Sequence, residues 1–327
     1  MNLFVVCLLL GFVPMIVYSA IMWWIDHWER EPLSLIIGCF AWGAVPSIVL
    51  ALFWSVYFEA AAASFFYEPG ELQFITYSII APVTEEIAKG IGLLIIFLFF
   101  RREIDSLLDG ILFGAVIGFG FAAVENVFYF IGFGSESPAT LTFLVVLRAF
   151  AFGLNHAFFT SLTGLGFAIA RFQRNILLKF ATPTAGLALA MLMHGVHNYL
   201  AVEGLGGIVK SFFVHWFGVF WVFLVIVWSL NRQGNLIARH LDKEVSAGVL
   251  TAEQARNAAA FSHRLSYGFD LFGHLFTRRE NDRRFDQLCA ELALKKHHLA
   301  TLGDESGNDQ AVDKLRKQIV ELSQRLA

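Results

Sequence analysis

Two adjacent acids, Glu85 and Glu86, with Lys89 one turn further on, interrupt an apolar stretch from Phe74 to Phe100. Each charged group at the middle of a bilayer costs about 2.5–3.5 kcal/mol on insertion scales, so three of them in one span predict a buried polar site. Polar residues also punctuate three later apolar stretches: Glu125 with Asn126, Asn155 with His156, and His194 with His197 and Asn198. A carboxylate held in low dielectric beside a cation and histidines can take a proton from water, and the histidines can bind a developing oxyanion or a metal ion. That chemistry is hydrolysis of a buried bond. Consecutive Glu85 and Glu86 point about 100° apart on a helix, so one faces the centre while the other orients Lys89 or a neighbouring helix. His194 and Asn198, four residues apart, share a helix face, and His197 lies at its edge.

Such residues need elements that cross a membrane, and the composition supplies them. The chain of 327 residues is 57% hydrophobic, 15% aromatic and 16% charged, with a mean hydropathy of +0.62, which lies outside the soluble range. Seven apolar runs are long enough to span: Leu3 to Ile25, Leu33 to Phe58, Phe74 to Phe100, Leu107 to Ile131, Leu141 to Ala170, Phe180 to Val202 and Ile208 to Leu230. The expected fold is therefore all-α, a polytopic bundle of about seven transmembrane helices. Gly153 leaves the fifth run either tilted or broken, and Pro82 can interrupt the third. The first run lacks a basic leader and a small-residue cleavage site, so it reads as a retained helix. Cys7, Cys39 and Cys289 have neither disulfide-framework nor metal spacing.

Counted at 1.5 Å per residue from the cytoplasmic end of each run, Glu86, Glu125, His156 and His194 lie roughly 21–24 Å deep. Unrelated polar accidents would scatter in depth, so the agreement predicts one site, in the outer half of the membrane. Orientation follows from basic loops. Arg30, then Arg101 and Arg102, then Arg171, Arg174 and Lys179, and finally the tail beyond Asn231 mark the cytoplasmic side. This places the N-terminus outside and the C-terminus in the cytoplasm. The chain divides into a membrane domain, 1–230, and a charged cytosolic helical tail, 231–327, with 15 Lys/Arg and 13 Asp/Glu. The tail is interrupted from Thr301 to Asn308. Leu315, Ile319, Leu322 and Leu326 form an amphipathic face suited to self-association or to a partner. No basic stripe suggests nucleic acid.

Structural readings compete at each position. Glu86 and Lys89 can form a plain ion pair, His156 and His194 can be interhelical hydrogen-bonding glue, and Asn126 and Asn198 more often are. Gly114, Gly118 and Gly120 read as close-packing residues, and His215 and Tyr199 as packing or interfacial ones. A proton-coupled transporter or channel would also use buried Glu, His and Lys, but the matching broken halves of transporters are not evident. A membrane scaffold whose working part is the tail would not need so polar an interior. The leading assignment makes Glu85 the general base, supported by Glu86 and Lys89. Glu125 is a second acid, His156 and His194 are oxyanion or metal contacts, and Asn126 and Asn198 assist.

At these residues the chain resembles the PrsW family of intramembrane proteases, within the wider superfamily of CAAX-prenyl and bacteriocin-processing proteases. The family's E-E-x-x-K corresponds to Glu85 through Lys89, its F-x-x-x-E-N to Phe121 through Asn126, and its histidine motifs to His156 through Thr160 and His194 through Asn198. The segment Asp26 to Pro32, Phe40 to Ala44, and Asp109-Gly110 also fit, so the likeness spans most of residues 20 to 200. The resemblance implies site-specific cleavage of membrane-associated proteins, in some bacteria an anti-sigma factor, in the bacterial cytoplasmic membrane. The superfamily has been described both as metal-dependent and as glutamate-dependent. A divalent metal such as zinc would take Glu85, Glu125, His156 and His194 as ligands. The spacing H-E-x-x-H is absent, and Glu85 beside Glu86 and Lys89 already supplies a base and a counter-charge, which favours catalysis without metal. The tail has no counterpart in the family pattern.

Overall fold

A backbone inside a bilayer must satisfy its own hydrogen bonds, and helices do so within one segment. The computed structural model describes residues 2–26, 31–260, 276–304 and 308–326, and among these it contains helices and no strand. In chain order they are α1 (Leu3–Ile25), α2 (Leu33–Trp42), α3 (Ile48–Ala62), α4 (Pro69–Ile75), α5 (Ala81–Phe99), α6 (Leu107–Gly132) and α7 (Pro138–Val145). They continue with α8 (Asn155–Arg171), α9 (Ile176–Val202), α10 (Leu205–Ser246), α11 (Ala252–Ala259), α12 (Phe276–Leu302) and α13 (Asn308–Leu326). His27 to Arg30, part of the motif segment and of the charge pattern, lie outside the described residues.

Among the described residues, six helical stretches are long and apolar enough to cross a membrane: Leu3–Ile25, Leu33–Ala62, Leu107–Gly132, Pro138–Arg171, Ile176–Val202 and Leu205–Ser246. The seventh run is helical as well, from Pro69 to Phe99, but it carries Glu85, Glu86 and Lys89. The chain is an integral membrane protein, and large apolar side chains such as Phe53, Phe99, Phe180 and Phe213 stand on its exterior. Contacts divide it into two compact units, Met1–Ile25 with Glu31–Ile226, and Asp26–Arg30 with Val227–Ala327.

Three of the long helices contain a π-helical turn: Gly43–Ser47 joins α2 to α3, Thr76–Ile80 joins α4 to α5, and Val146–Ala151 succeeds α7. Each turn holds an extra residue and so rotates the face presented by the helical residues C-terminal to it. Proline accounts for the first two. Pro46 lies inside the first, and Pro82, without an N–H, comes just after the second. The third ends in a break at 152–154, so the fifth run is broken rather than tilted.

At the centre of the first unit stands α6. It is apolar apart from Asp109, Glu125 and Asn126, and 89% of its membrane-spanning window is buried inside the molecule. Gly110, Gly114 and Gly118, each four residues apart, press it against α8. A side chain at Gly118 would reach 2.4 Å from the carbonyl oxygen of His156, so backbone meets backbone where the histidine is held.

In the second unit α10 continues well past the expected end at Leu230, because nothing stops it before Gly248. There a glycine at φ +74° lets Gly248 N–H bond to the Val245 carbonyl and Val249 N–H to the Glu244 carbonyl. Glu244, almost fully buried, accepts Lys296 from α12 at 2.5 Å and Arg316 from α13 at 2.9 and 3.1 Å. Leu315 and Ile319 are buried on α13, which packs on α12. Of the face expected to serve self-association, Leu315 and Ile319 are thus covered within this chain. Leu322 is half-buried, and the Leu326 side chain and residues 305–307 lie outside the described part of the chain.

Candidate active site

Pro82 shapes the start of the site. In the π turn before it, Ala81 N–H bonds to the Thr76 carbonyl, and the next donor in that register would be Pro82, which has none. The Tyr77 carbonyl accepts instead from Asn198 Nδ2 on α9, at 2.9 Å. On the other side, Trp42 Nε1 and Ser47 Oγ both donate to the Ala88 carbonyl, at 3.1 and 3.3 Å, which ties α5 to the first π turn.

From α5 so fixed, Glu86 and Lys89 point into the bundle and are wholly buried, with Lys89 Nζ 2.6 Å from Glu86 Oε1. Glu86 accepts two further partners, His194 Nδ1 at 2.9 Å and Thr160 Oγ1 at 3.3 Å. Lys89 lies 3.1 Å from His156 Nδ1, 4.1 Å from the centroid of the Phe121 ring and 3.7 Å from Glu85 Oε2. The ring face of Phe121 thus adds a cation–π contact to a fully buried lysine. His156, one residue into α8, turns Nε2 to Glu125 Oε2 on α6, at 2.7 Å. The same oxygen is 2.7 Å from Arg148 Nη2, while Arg148 Nε donates to Asn126 Oδ1 at 3.0 Å.

Glu85 differs from its neighbour. Its side chain is 15% exposed, and Oε2 is buried without a hydrogen-bond partner. His194 Nε2 is 3.8 Å from it. Donor atoms of Glu85, His156 and His194 all lie within 4.8 Å of one another. Each histidine therefore commits one ring nitrogen to a carboxylate, Glu86 for His194 and Glu125 for His156; His194 Nε2 is left facing Glu85, while His156 Nδ1 is met by Lys89 Nζ, whose place on that nitrogen an ion would have to take. Carboxylates orient metal-binding imidazoles in this way, and a Glu with two His leaves coordination positions open. The formal charges point the same way: three carboxylates against Lys89 and Arg148 leave one negative charge. The residues fit a divalent ion held by Glu85, His156 and His194. Glu125, a possible ligand from sequence, is not one of these three and lies with Oε2 2.7 Å from His156 Nε2.

The structure thus brings together Glu85, Glu86, Lys89, Glu125, His156 and His194 from α5, α6, α8 and α9. Asn126 joins through Arg148. Asn198 does not reach the group, because its amide serves the Tyr77 carbonyl. His197 faces away, 2.7 Å from Ser211 Oγ and 3.2 Å from Asn155 Nδ2. His215 is a buried packing histidine whose nitrogens meet the Ser211 and Met193 carbonyls at 2.6 and 3.1 Å. Sequence reasoning missed Arg148, although the signal was present: a charged side chain inside the fifth apolar run carries the same cost as Lys89 and so the same weight.

Compared with known proteins, residues 31–229 match the model of the PrsW family intramembrane metalloprotease. The chain belongs to that family. Among curated relatives, Protease PrsW of Geobacillus kaustophilus is 25% identical over 226 residues, covering 68% of this chain and 88% of the relative. Protease PrsW of Clostridioides difficile is 26% identical over 227 residues, covering 68% and 87%. Protease PrsW of Bacillus subtilis is 25% identical over 217 residues, covering 64% and 90%. No solved structure matches. The PrsW-family chain is a membrane peptidase, and the transporter alternative falls away. The family is described as metalloproteases, which accords with the Glu85, His156 and His194 group.

Proposed function

We propose that this PrsW-family chain cleaves a peptide bond of a membrane-associated protein at the centre framed by Glu85, His156 and His194. The reading rests above all on one observation, the buried Glu85 Oε2 without a hydrogen-bond partner, facing two imidazoles whose other nitrogens are already engaged. Glu85 takes the proton of the attacking water at Oε2 and passes it to the leaving amine. Lys89, held by Glu86, supplies the positive charge that faces the developing oxyanion. Glu86, which accepts from Thr160, fixes His194, and Glu125 fixes His156. Were a divalent ion bound by Glu85, His156 and His194, it would polarise the carbonyl and acidify the water, and Glu85 would then serve as its ligand in place of acting as the free base. The geometry supports this arrangement over the metal-free one that spacing alone favoured, because both histidines have carboxylates behind them.

The membrane domain, 1–230, carries this activity, the C-terminus is cytoplasmic, and the site lies in the outer half of the bilayer. The test is cleavage of a quenched-fluorescence library of single-span peptides by the full chain in proteoliposomes. Glu85→Gln and His194→Ala should each lose at least about a hundredfold in kcat. Active protein should carry about one zinc or similar ion per chain, lost with activity on chelation and regained with it. Wild-type turnover by Glu85→Gln would remove the catalytic assignment. Full activity in metal-free protein would return the site to a glutamate acting alone.

A further inference from the structure

Arg148 sits in the π turn Val146–Ala151, in a stretch of chain whose hydrogen bonding is already unusual. The break at 152–154 leaves carbonyls at the end of this turn without helical partners, and side chains from elsewhere supply them. Tyr18 OH donates to the Ala149 carbonyl at 3.1 Å and Trp216 Nε1 to the Ala151 carbonyl at 2.9 Å. Where no water reaches, such replacements are obligatory, and they hold the turn in place from two sides.

The guanidinium fits a cradle built by one face of α6. Nη2 meets Glu125 Oε2 at 2.7 Å, Nε donates to Asn126 Oδ1 at 3.0 Å, and Cζ lies 3.7 Å from the centroid of the Tyr129 ring. A planar fork can make two directed contacts while lying on a ring, and a lysine ammonium cannot. The carboxylate oxygen it grips is the one 2.7 Å from His156 Nε2. We propose that Arg148 is a positioning residue of the peptidase: it holds Glu125 so that His156 donates Nε2–H to that carboxylate and keeps Nδ1 turned to the centre. This rests on the hydrolytic reading of the site given above. Without the guanidinium, Glu125 is free to swing away, and the His156 ring is then held from the Lys89 side alone.

The same peptide library and proteoliposomes test it. Arg148→Ala should lower kcat about 10- to 100-fold, the usual effect of removing a partner behind a ligand. KM should stay within about twofold. Arg148→Lys, which keeps the charge but not the fork, should remain impaired. Ethylguanidinium should restore Arg148→Ala where ethylammonium does not. In a Glu125→Gln background, Arg148→Ala should cost little more, because the two act on one path. An inactive Glu85→Gln beside a fully active Arg148→Ala would overturn this inference alone. Full additivity with Glu125→Gln would also overturn it, as would full activity of Arg148→Lys if the alanine variant fails to fold. An active Glu85→Gln would instead bring down the hydrolytic reading, and this inference with it.

Discussion

Gly118→Ala should disable the site from outside it. A methyl group at Gly118 would lie 2.4 Å from the His156 carbonyl oxygen, 2.6 Å from its carbon and 2.7 Å from Ala157 Cα, all backbone atoms. Ordinary contact begins at 3.4 Å, so α8 must retreat from α6 by about 1 Å at the first residues of the helix. His156 Nδ1 is 3.1 Å from Lys89 Nζ and Nε2 is 2.7 Å from Glu125 Oε2, and a shift of that size exceeds what either contact tolerates. A reacting group misplaced by about 1 Å costs about a hundredfold in rate, and overpacking a helix contact costs about 1–3 kcal/mol of stability. Gly132→Ala is the control, since a methyl group there meets nothing within 4 Å. The measurement is kcat on the peptide library together with the thermal midpoint in detergent. Wild-type kcat in Gly118→Ala would refute the idea that glycine contacts place His156, as would an equal loss in Gly132→Ala.

Asn198→Leu should behave as a structural change, because its amide caps the Tyr77 carbonyl. The expected cost is about 1 kcal/mol in thermal stability with kcat reduced less than tenfold, and a hundredfold loss at unchanged stability would place Asn198 in the chemistry after all. Glu244→Gln weakens the buried acceptor shared by Lys296 and Arg316, so trypsin should nick the α12 and α13 region faster. Unchanged cleavage kinetics would show that the contacts contribute nothing to holding the tail together. An introduced cysteine at Glu68 should react with an impermeant reagent in intact cells, and one at Ser323 only after permeabilisation. The opposite pattern would reverse the orientation and move the site to the cytoplasmic half.

Much of the molecule was legible because the bilayer leaves few options. Helices are nearly forced on long apolar runs, so each of the seven was found helical, with ends displaced where no glycine or proline marked them, as in α10. Charged and polar residues inside those runs had to meet one another, and Glu85, Glu86, Lys89, Glu125, His156 and His194 do. What spacing could not decide was rotation and close approach. Glu85 and Glu86 are equivalent as letters. The π turn before Pro82 and the anchoring of Ala88 by Trp42 and Ser47 turn Glu86 into the bundle and leave Glu85 with an oxygen that has no hydrogen-bond partner. Asn198 sits one turn from His194 in the sequence, yet its amide is claimed by a carbonyl freed by a proline more than a hundred residues away. Arg148 takes its role only because the chain breaks beside it and returns the guanidinium to α6. Composition and periodicity determine which residues must be buried; which atom each one then faces depends on how backbones from distant parts of the chain touch, and that is settled by packing in three dimensions.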